Sequence, residues 1–189
     1  IHDRRQRQMC IRDRKRSDFK RVDRDFYPTP EAAVLPLLPH LPQSHFTFIE
    51  PCAGDGRLTK HLHFSMDCKS LSNTDIEPRA DWIEQKDAFD IVIDDDVDYV
   101  ITNPPWNRKF LHPFIEYYSS KRLTWLLFDA DWMHTKQSEP YMKYCSKIVS
   151  IGRVKWIEGS KSVGKDNCCW YLFQSIATEV TEFYGRQSL

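Results

Sequence analysis

The 189-residue sequence has no apolar stretch as long as a membrane span, and no charged-then-apolar leader ahead of a small-residue cleavage site. A cytoplasmic chain that does not engage membrane is therefore expected. Internal repeats and low-complexity tracts are also missing, which excludes solenoids, propellers and biased linkers. No two of the six cysteines (Cys10, Cys52, Cys68, Cys145, Cys168 and Cys169) have the two-residue gap of a zinc ribbon, so no metal site is expected. Cys168 and Cys169 sit in an apolar run where adjacent side chains face opposite ways, and they read as buried free thiols. His61 and His63 are two apart, a spacing that shares a strand face but not a face of the helix expected there.

Net charge is zero because two opposite excesses cancel. Residues 1 to 24 hold ten Arg or Lys against four Asp, and residues 25 to 189 hold 17 basic against 23 acidic groups. A basic arm of this kind suits a nucleic-acid partner. Within it, Met9–Arg14 ("MCIRDR") is similar to the translation of a transposon end used in sequencing-library preparation, so residues 1 to about 14 are expected to be a read artefact. The rest of the arm reads as a solvated, disordered terminus. Residues 25 to 189 have the length of one domain.

Along that domain, strand-like and helix-like segments alternate. Thr29-Pro30-Glu31 has the form of a helix start, with Thr29 as cap and Pro30 at the first helical position; Pro36, Pro39 and Pro42 keep the helix short. "FTFIEPCAGDGRLTKHL" reads as strand, glycine turn and helix, and "SLSNTDIEP" as a weaker strand ending at acids. Tyr99 to Thr102 is the clearest buried strand. "KFLHPFIEYYSS" has helical periodicity despite Pro113, and "RLTWLLFDADWM" is a further apolar run. "KIVSIGRVKWIEG" and "NCCWYLFQSIA" read as a closing hairpin. The predicted architecture is a Rossmann-like three-layer α/β sandwich, its sheet mostly parallel with an antiparallel C-terminal edge hairpin. Ligands of such sheets bind at the carboxyl ends of the strands, near the switch point.

Those strand ends carry the candidate chemistry. Gly54 and Gly56 let a ligand approach the backbone, while Glu50 and Asp55 beside them repel a pyrophosphate and suit an ammonium group or ribose hydroxyls. Asp75 lies about 20 residues beyond the glycines, where a doubly wound fold reads ribose, with Glu77 its close competitor. Asp87 is placed to accept a hydrogen bond from an exocyclic amine, with Phe89 near the ring plane. After the strand, "NPPW" sets Asn103 at the ligand edge on a turn stiffened by Pro104 and Pro105. The Asn103 side-chain oxygen and the Pro104 carbonyl are both able to accept from one planar NH₂ group, and Trp106 offers a face for a flat ring.

Taken in order, these motifs resemble those of class I S-adenosylmethionine-dependent methyltransferases, in particular the enzymes that methylate the exocyclic amine of adenine in DNA. The resemblance spans about Asp25 to Phe173. "NPPW" matches the catalytic motif at Asn103, Pro104, Pro105 and Trp106, and "EPCAGDG" matches the cofactor motif at Glu50, Pro51, Ala53, Gly54 and Gly56. "DFYPTP" resembles the segment contacting the cofactor's methionine, at Tyr27, Thr29 and Pro30. By the same match Asp75 is the ribose acid and Asp87, with Phe89, the adenine contact. The motif order resembles that of compact phage and prophage adenine methyltransferases.

The resemblance implies S-adenosylmethionine as cofactor and DNA as partner. It also implies rivals: methyl transfer to RNA bases or to protein glutamine, or a catalytically silent methyltransferase-fold module that binds a partner. No separate target-recognition domain is expected. Specificity then falls to loops at Asp131 to Tyr144 or Gly159 to Asn167 (with Lys161 and Lys165), or to a protein partner such as a recognition subunit. Nonspecific DNA affinity requires Arg108, Lys109, Arg153 and Lys155 to share a face. Asp129, Asp131 and Trp132 fall near the expected cleft and read as buried or solvated.

Overall fold

Strands whose residues are apolar on both sides must be covered on both faces, and the chain supplies helices for each. The computed structural model describes residues 26–159 and 163–187, so the basic arm, Cys10 and Lys161 lie outside the described residues. In chain order the elements are α1 (Glu31–Val34), β1 (Phe46–Glu50), α2 (Arg57–Ser65), β2 (Cys68–Asp75), β3 (Glu84–Gln85), β4 (Tyr99–Thr102), α3 (Arg108–Ser119), β5 (Leu123–Asp129), α4 (Glu139–Met142), β6 (Cys145–Arg153), β7 (Asn167–Phe173) and β8 (Glu182–Tyr184).

The strands form one eight-stranded sheet in the order β3-β2-β1-β4-β5-β7-β6-β8. From β3 to β5 every pairing is parallel, so β1, β2, β4 and β5 all end on the same edge. β7 runs antiparallel between β5 and β6, giving the predicted hairpin, and β8 pairs parallel to β6 beyond it. That outermost strand is an addition to the sequence reading.

Alternation along β4 and β5 feeds two cores. Ile101 and Leu127 join Ala33, Val34, Leu37, Leu58 and Leu62 of the α1–α2 layer. Val100 and Leu126 join Leu111, Phe114, Ile115 and Tyr118 of α3 on the other face. Each such Val, Leu, Ile or Phe side chain stabilises the fold by roughly 1.5–3 kcal/mol on full burial. Cys168 and Cys169 divide between the two cores as the period-two argument requires, and both are free thiols. Pro113 is accommodated inside α3, whose N-terminus is capped by Asn107 accepting from the Lys109 amide at 3.0 Å. Among the described residues no helix is long and apolar enough to cross a membrane.

Two local expectations change. Thr29 does not cap α1: Pro30 stands at the cap position without a side-chain bond, and the Thr29 hydroxyl turns elsewhere. The segment from Asp131 to Tyr144 is largely a chain of short helical turns, in which Trp132 is fully buried, rather than an open loop.

Candidate active site

The strand order reverses between β1 and β4, and a cleft of about 470 Å³ opens there at the carboxyl ends. This volume lies within the usual range for small-molecule sites. Its floor is the turn after β1. Gly54 and Gly56 have φ of +55° and +76°, which side chains rarely adopt, and both are crowded from outside. A Cβ on Gly54 would lie 2.7 Å from the Phe26 ring, and one on Gly56 would lie 2.0 Å from Trp82. The Phe26 ring is in turn covered by the Arg79 guanidinium, 4.2 Å from its centroid.

Asp75, ending β2, ties this floor together by accepting from the Gly54 amide and from the Glu77 amide, both at 2.8 Å. Asp87 accepts from the Phe89 amide at 2.9 Å. Glu50 is only 2 % exposed, and its Oε2 accepts from the Thr59 amide at 3.1 Å as well as from the Thr59 hydroxyl. Burial, with further contributions from Asp55 and Asp75, pushes the Glu50 carboxyl up to about 8 despite those bonds. Among the lining residues Arg57 is paired with Asp55 at 2.9 Å, and Arg79 with Glu77 at 3.5 Å. Asp75 and Asp87 are therefore the surplus carboxylates, Glu50 adds a third acid that ionises only at about pH 8, and the cleft suits a cationic ligand rich in hydroxyls.

Asn103 enters the same cleft from the end of β4. Its Nδ2 donates to Thr29 Oγ1 at 3.2 Å and lies 3.5 Å from the Tyr27 carbonyl; its Oδ1 accepts from the Trp106 indole N–H at 3.2 Å. The same indole N–H reaches the Leu127 carbonyl, also at 3.2 Å. Because a carbonyl only accepts and an indole N–H only donates, these partners fix which end of the amide is nitrogen.

Of the residues singled out from sequence, Tyr27, Thr29, Glu50, Pro51, Ala53, Gly54, Asp75, Asp87, Asn103 and Pro105 line the cleft together. Pro30, Gly56, Phe89, Pro104 and Trp106 lie outside its lining. Phe89 is turned onto Phe110, Phe114 and Tyr117, at centroid distances of 5.4, 6.1 and 5.6 Å. Trp106 packs against both cores and meets Trp156 in a T-shaped contact at 5.8 Å. Sequence reasoning missed Phe26, Cys52, Arg79 and Phe110 as lining residues. Only their nearness to the motifs signalled them. Burial holds the Cys52 thiol well above its usual range, which disfavours the thiolate.

Outside the cleft, Arg108 is committed to Asp129 at 2.6 Å and is not an open phosphate ligand. Arg153, Lys155, Lys109 and Lys165 are exposed. No group of His, Cys, Asp or Glu suited to a metal occurs among the described residues, and His63 instead accepts from the Ser70 amide at 3.2 Å.

Solved structures with this arrangement of layers were found at low sequence identity. A candidate class I S-adenosylmethionine-dependent methyltransferase from Listeria monocytogenes aligns at 12% identity and a TM-score of 0.50 over 83% of this chain. A dimethyladenosine transferase from Plasmodium falciparum aligns at 15% and 0.51 over 82%. A modification subunit of a candidate type I restriction enzyme from Vibrio vulnificus aligns at 11% and 0.53 over 85%. The chain has a Rossmann-like methyltransferase fold. It spans 63%, 63% and 47% of those three proteins respectively. No family model matches the sequence, and no curated protein matches it significantly. At these identities the likeness establishes the fold, while the activity must be argued from the cleft.

Proposed function

We propose that this methyltransferase-fold chain binds S-adenosylmethionine and methylates the exocyclic amine of adenine in DNA. The carrying observation is that Asn103 shares one cleft with Gly54, Asp75, Asp87 and Glu50. The lining fits the cofactor chemically: the surplus carboxylates Asp75 and Asp87, with the Glu50 carboxyl as a further acceptor that ionises at about pH 8, suit a ligand that carries a sulfonium, an ammonium group and ribose hydroxyls. Glu50 would hold the ammonium, Asp75 the ribose hydroxyls and Asp87 the adenine amine. When bound, the cofactor supplies an electrophilic methyl carbon.

The chain's own contribution is placement. Asn103 Oδ1 has one lone pair engaged by Trp106 and a second with which to accept from a substrate NH₂. Accepting that hydrogen bond draws the nitrogen lone pair out of conjugation with its ring and aims it at the cofactor side. The nitrogen would gain the methyl carbon as the carbon–sulfur bond of the sulfonium breaks, its electron pair leaving with sulfur as a neutral thioether, and would lose one proton to solvent, so no side-chain base is required. Holding two reactants in line is able to supply roughly 7–11 kcal/mol of the barrier. A duplex target must be flipped out of the stack, at a cost of about a few kcal/mol.

DNA is favoured by the "NPPW" motif, and the Vibrio vulnificus modification subunit is consistent with it. Methylation of an RNA base is the second reading, favoured by the likeness to the dimethyladenosine transferase. The test is transfer of isotope from methyl-labelled S-adenosylmethionine to adenine-containing DNA, RNA and protein side by side. Label in DNA at N6 of adenine is expected. Label only in RNA would replace the substrate, and cofactor binding without transfer would leave a silent binding module.

A further inference from the structure

An asparagine amide is chemically two-faced: rotation by 180° exchanges an acceptor for a donor at nearly identical shape. Asn103 works in the proposed reaction only if oxygen, not nitrogen, meets the substrate amine. Something must therefore hold the amide in one orientation, and the partners around it come from three separate parts of the fold. The strap before α1 brings the Thr29 hydroxyl and the Tyr27 carbonyl to Nδ2, at 3.2 and 3.5 Å. The turn before α3 brings the Trp106 indole N–H to Oδ1 at 3.2 Å, and the same N–H is shared with the Leu127 carbonyl on β5 at the same distance.

We propose that Thr29 and Trp106 are positioning residues that clamp the Asn103 amide from opposite ends, keeping Oδ1 available to the acceptor amine. This deepens the methyl-transfer reading and rests on it. A flipped amide would set Nδ2 against the indole N–H, donor on donor, and Oδ1 against the Tyr27 carbonyl, acceptor on acceptor; both contacts are repulsive. Thr29 is 6 % exposed, so water cannot readily replace its hydroxyl. Donation from Nδ2 to Thr29 also polarises the amide and strengthens Oδ1 as an acceptor. Tyr27 and Thr29 line the same cleft as Asn103, so the clamp joins that strap to the catalytic turn.

Three variants test the clamp with saturating cofactor and an adenine-containing oligonucleotide. Thr29→Val keeps the shape and removes the hydroxyl; Thr29→Ser keeps the hydroxyl; Trp106→Phe keeps an aromatic face and removes the N–H. Thr29→Val and Trp106→Phe are each expected to lower kcat roughly tenfold, the scale of one lost hydrogen bond, with KM for the oligonucleotide nearly unchanged. Thr29→Ser is expected to restore most of the rate. Wild-type kcat in Thr29→Val and Trp106→Phe, or a loss confined to KM, would overturn the proposal. Independently of turnover, the side-chain NH₂ resonances of Asn103, assigned by difference from Asn103→Ala, are expected to shift in both variants. If they do not move, the clamp is refuted. If they move while the wild type methylates neither DNA, RNA nor protein, the clamp stands and the methyl-transfer reading fails.

Discussion

The amide of Gly54 donates to Oδ2 of Asp75 across 2.8 Å, so the turn after β1 and the end of β2 form one rigid floor. Two strands that are neighbours in the sheet are thereby joined again at the point where a ligand would rest. Replacing Asp75 with Ala deletes the acceptor for both the Gly54 and Glu77 amides. Unmade bonds of this kind cost about 1–3 kcal/mol each when the groups stay buried. Calorimetry should show S-adenosylmethionine affinity reduced at least tenfold in Asp75→Ala, with thermal unfolding at a lower temperature. Asp75→Asn, which keeps one acceptor oxygen, should be milder in stability than in affinity.

Gly56 packs directly under Trp82. A methyl group at Gly56 would meet the indole at 2.0 Å, on a backbone with φ of +76°. Left-handed strain of about 1–2 kcal/mol and overpacking of about 1–3 kcal/mol should combine in Gly56→Ala. Trp82 is 46% exposed, so removing it is tolerable. Thermal melts of Gly56→Ala, Trp82→Ala and the double variant should show the double variant recovering the overpacking part while the backbone part persists.

Glu50 should make both stability and cofactor affinity depend on pH. Its folded value of about 8 lies above that of an unfolded glutamate, so the folded chain binds the extra proton. The stability this contributes is present below about pH 4.5 and is lost as pH rises toward 8. Glu50→Gln should flatten that decline in denaturant titrations. Affinity for the cationic cofactor should move the opposite way, rising as Glu50 ionises near pH 8, and the rise should vanish in Glu50→Gln.

The Arg108–Asp129 pair is asymmetric. Asp129 accepts from Arg108 at 2.6 Å and from the Trp132 amide at 2.8 Å, whereas the Arg108 Nη1 is buried with no hydrogen-bond partner among the described residues. Deleting the carboxylate strands a charge and an amide, at about 3–5 kcal/mol for a fully buried pair and less for this partly exposed one. Removing the guanidinium also relieves an unsatisfied group. Chemical denaturation should therefore find Asp129→Ala distinctly less stable than Arg108→Met.

Much of the fold was legible because burial on both faces leaves an unmistakable pattern in Tyr99–Thr102 and Leu123–Asp129, and because the paired glycines can only be a turn. The acids at the strand ends were legible for the same reason: a parallel sheet delivers every strand's last residue to one edge. Side-chain direction was not. Trp106 follows a turn, and its orientation is set by the Leu127 carbonyl, 21 positions away, which no local periodicity reveals. Phe89 sits two residues from Asp87, yet the short helical turn at Ala88–Asp90 rotates it onto α3. Thr29 has the composition of a cap, but its hydroxyl finds Asn103, 74 positions later. β8 is three residues long, too short to show a pattern.

The central claim is that the Asn103 amide performs the chemistry while the glycine floor and its acids hold the cofactor. Asn103→Ala tests it most directly, by calorimetric titration with S-adenosylmethionine beside isotope transfer to adenine-containing DNA. The account predicts cofactor affinity within about threefold of wild type and transfer reduced by at least two orders of magnitude, an effect of about 2.7 kcal/mol or more on the barrier. Undiminished transfer, or affinity and transfer lost together, would contradict it.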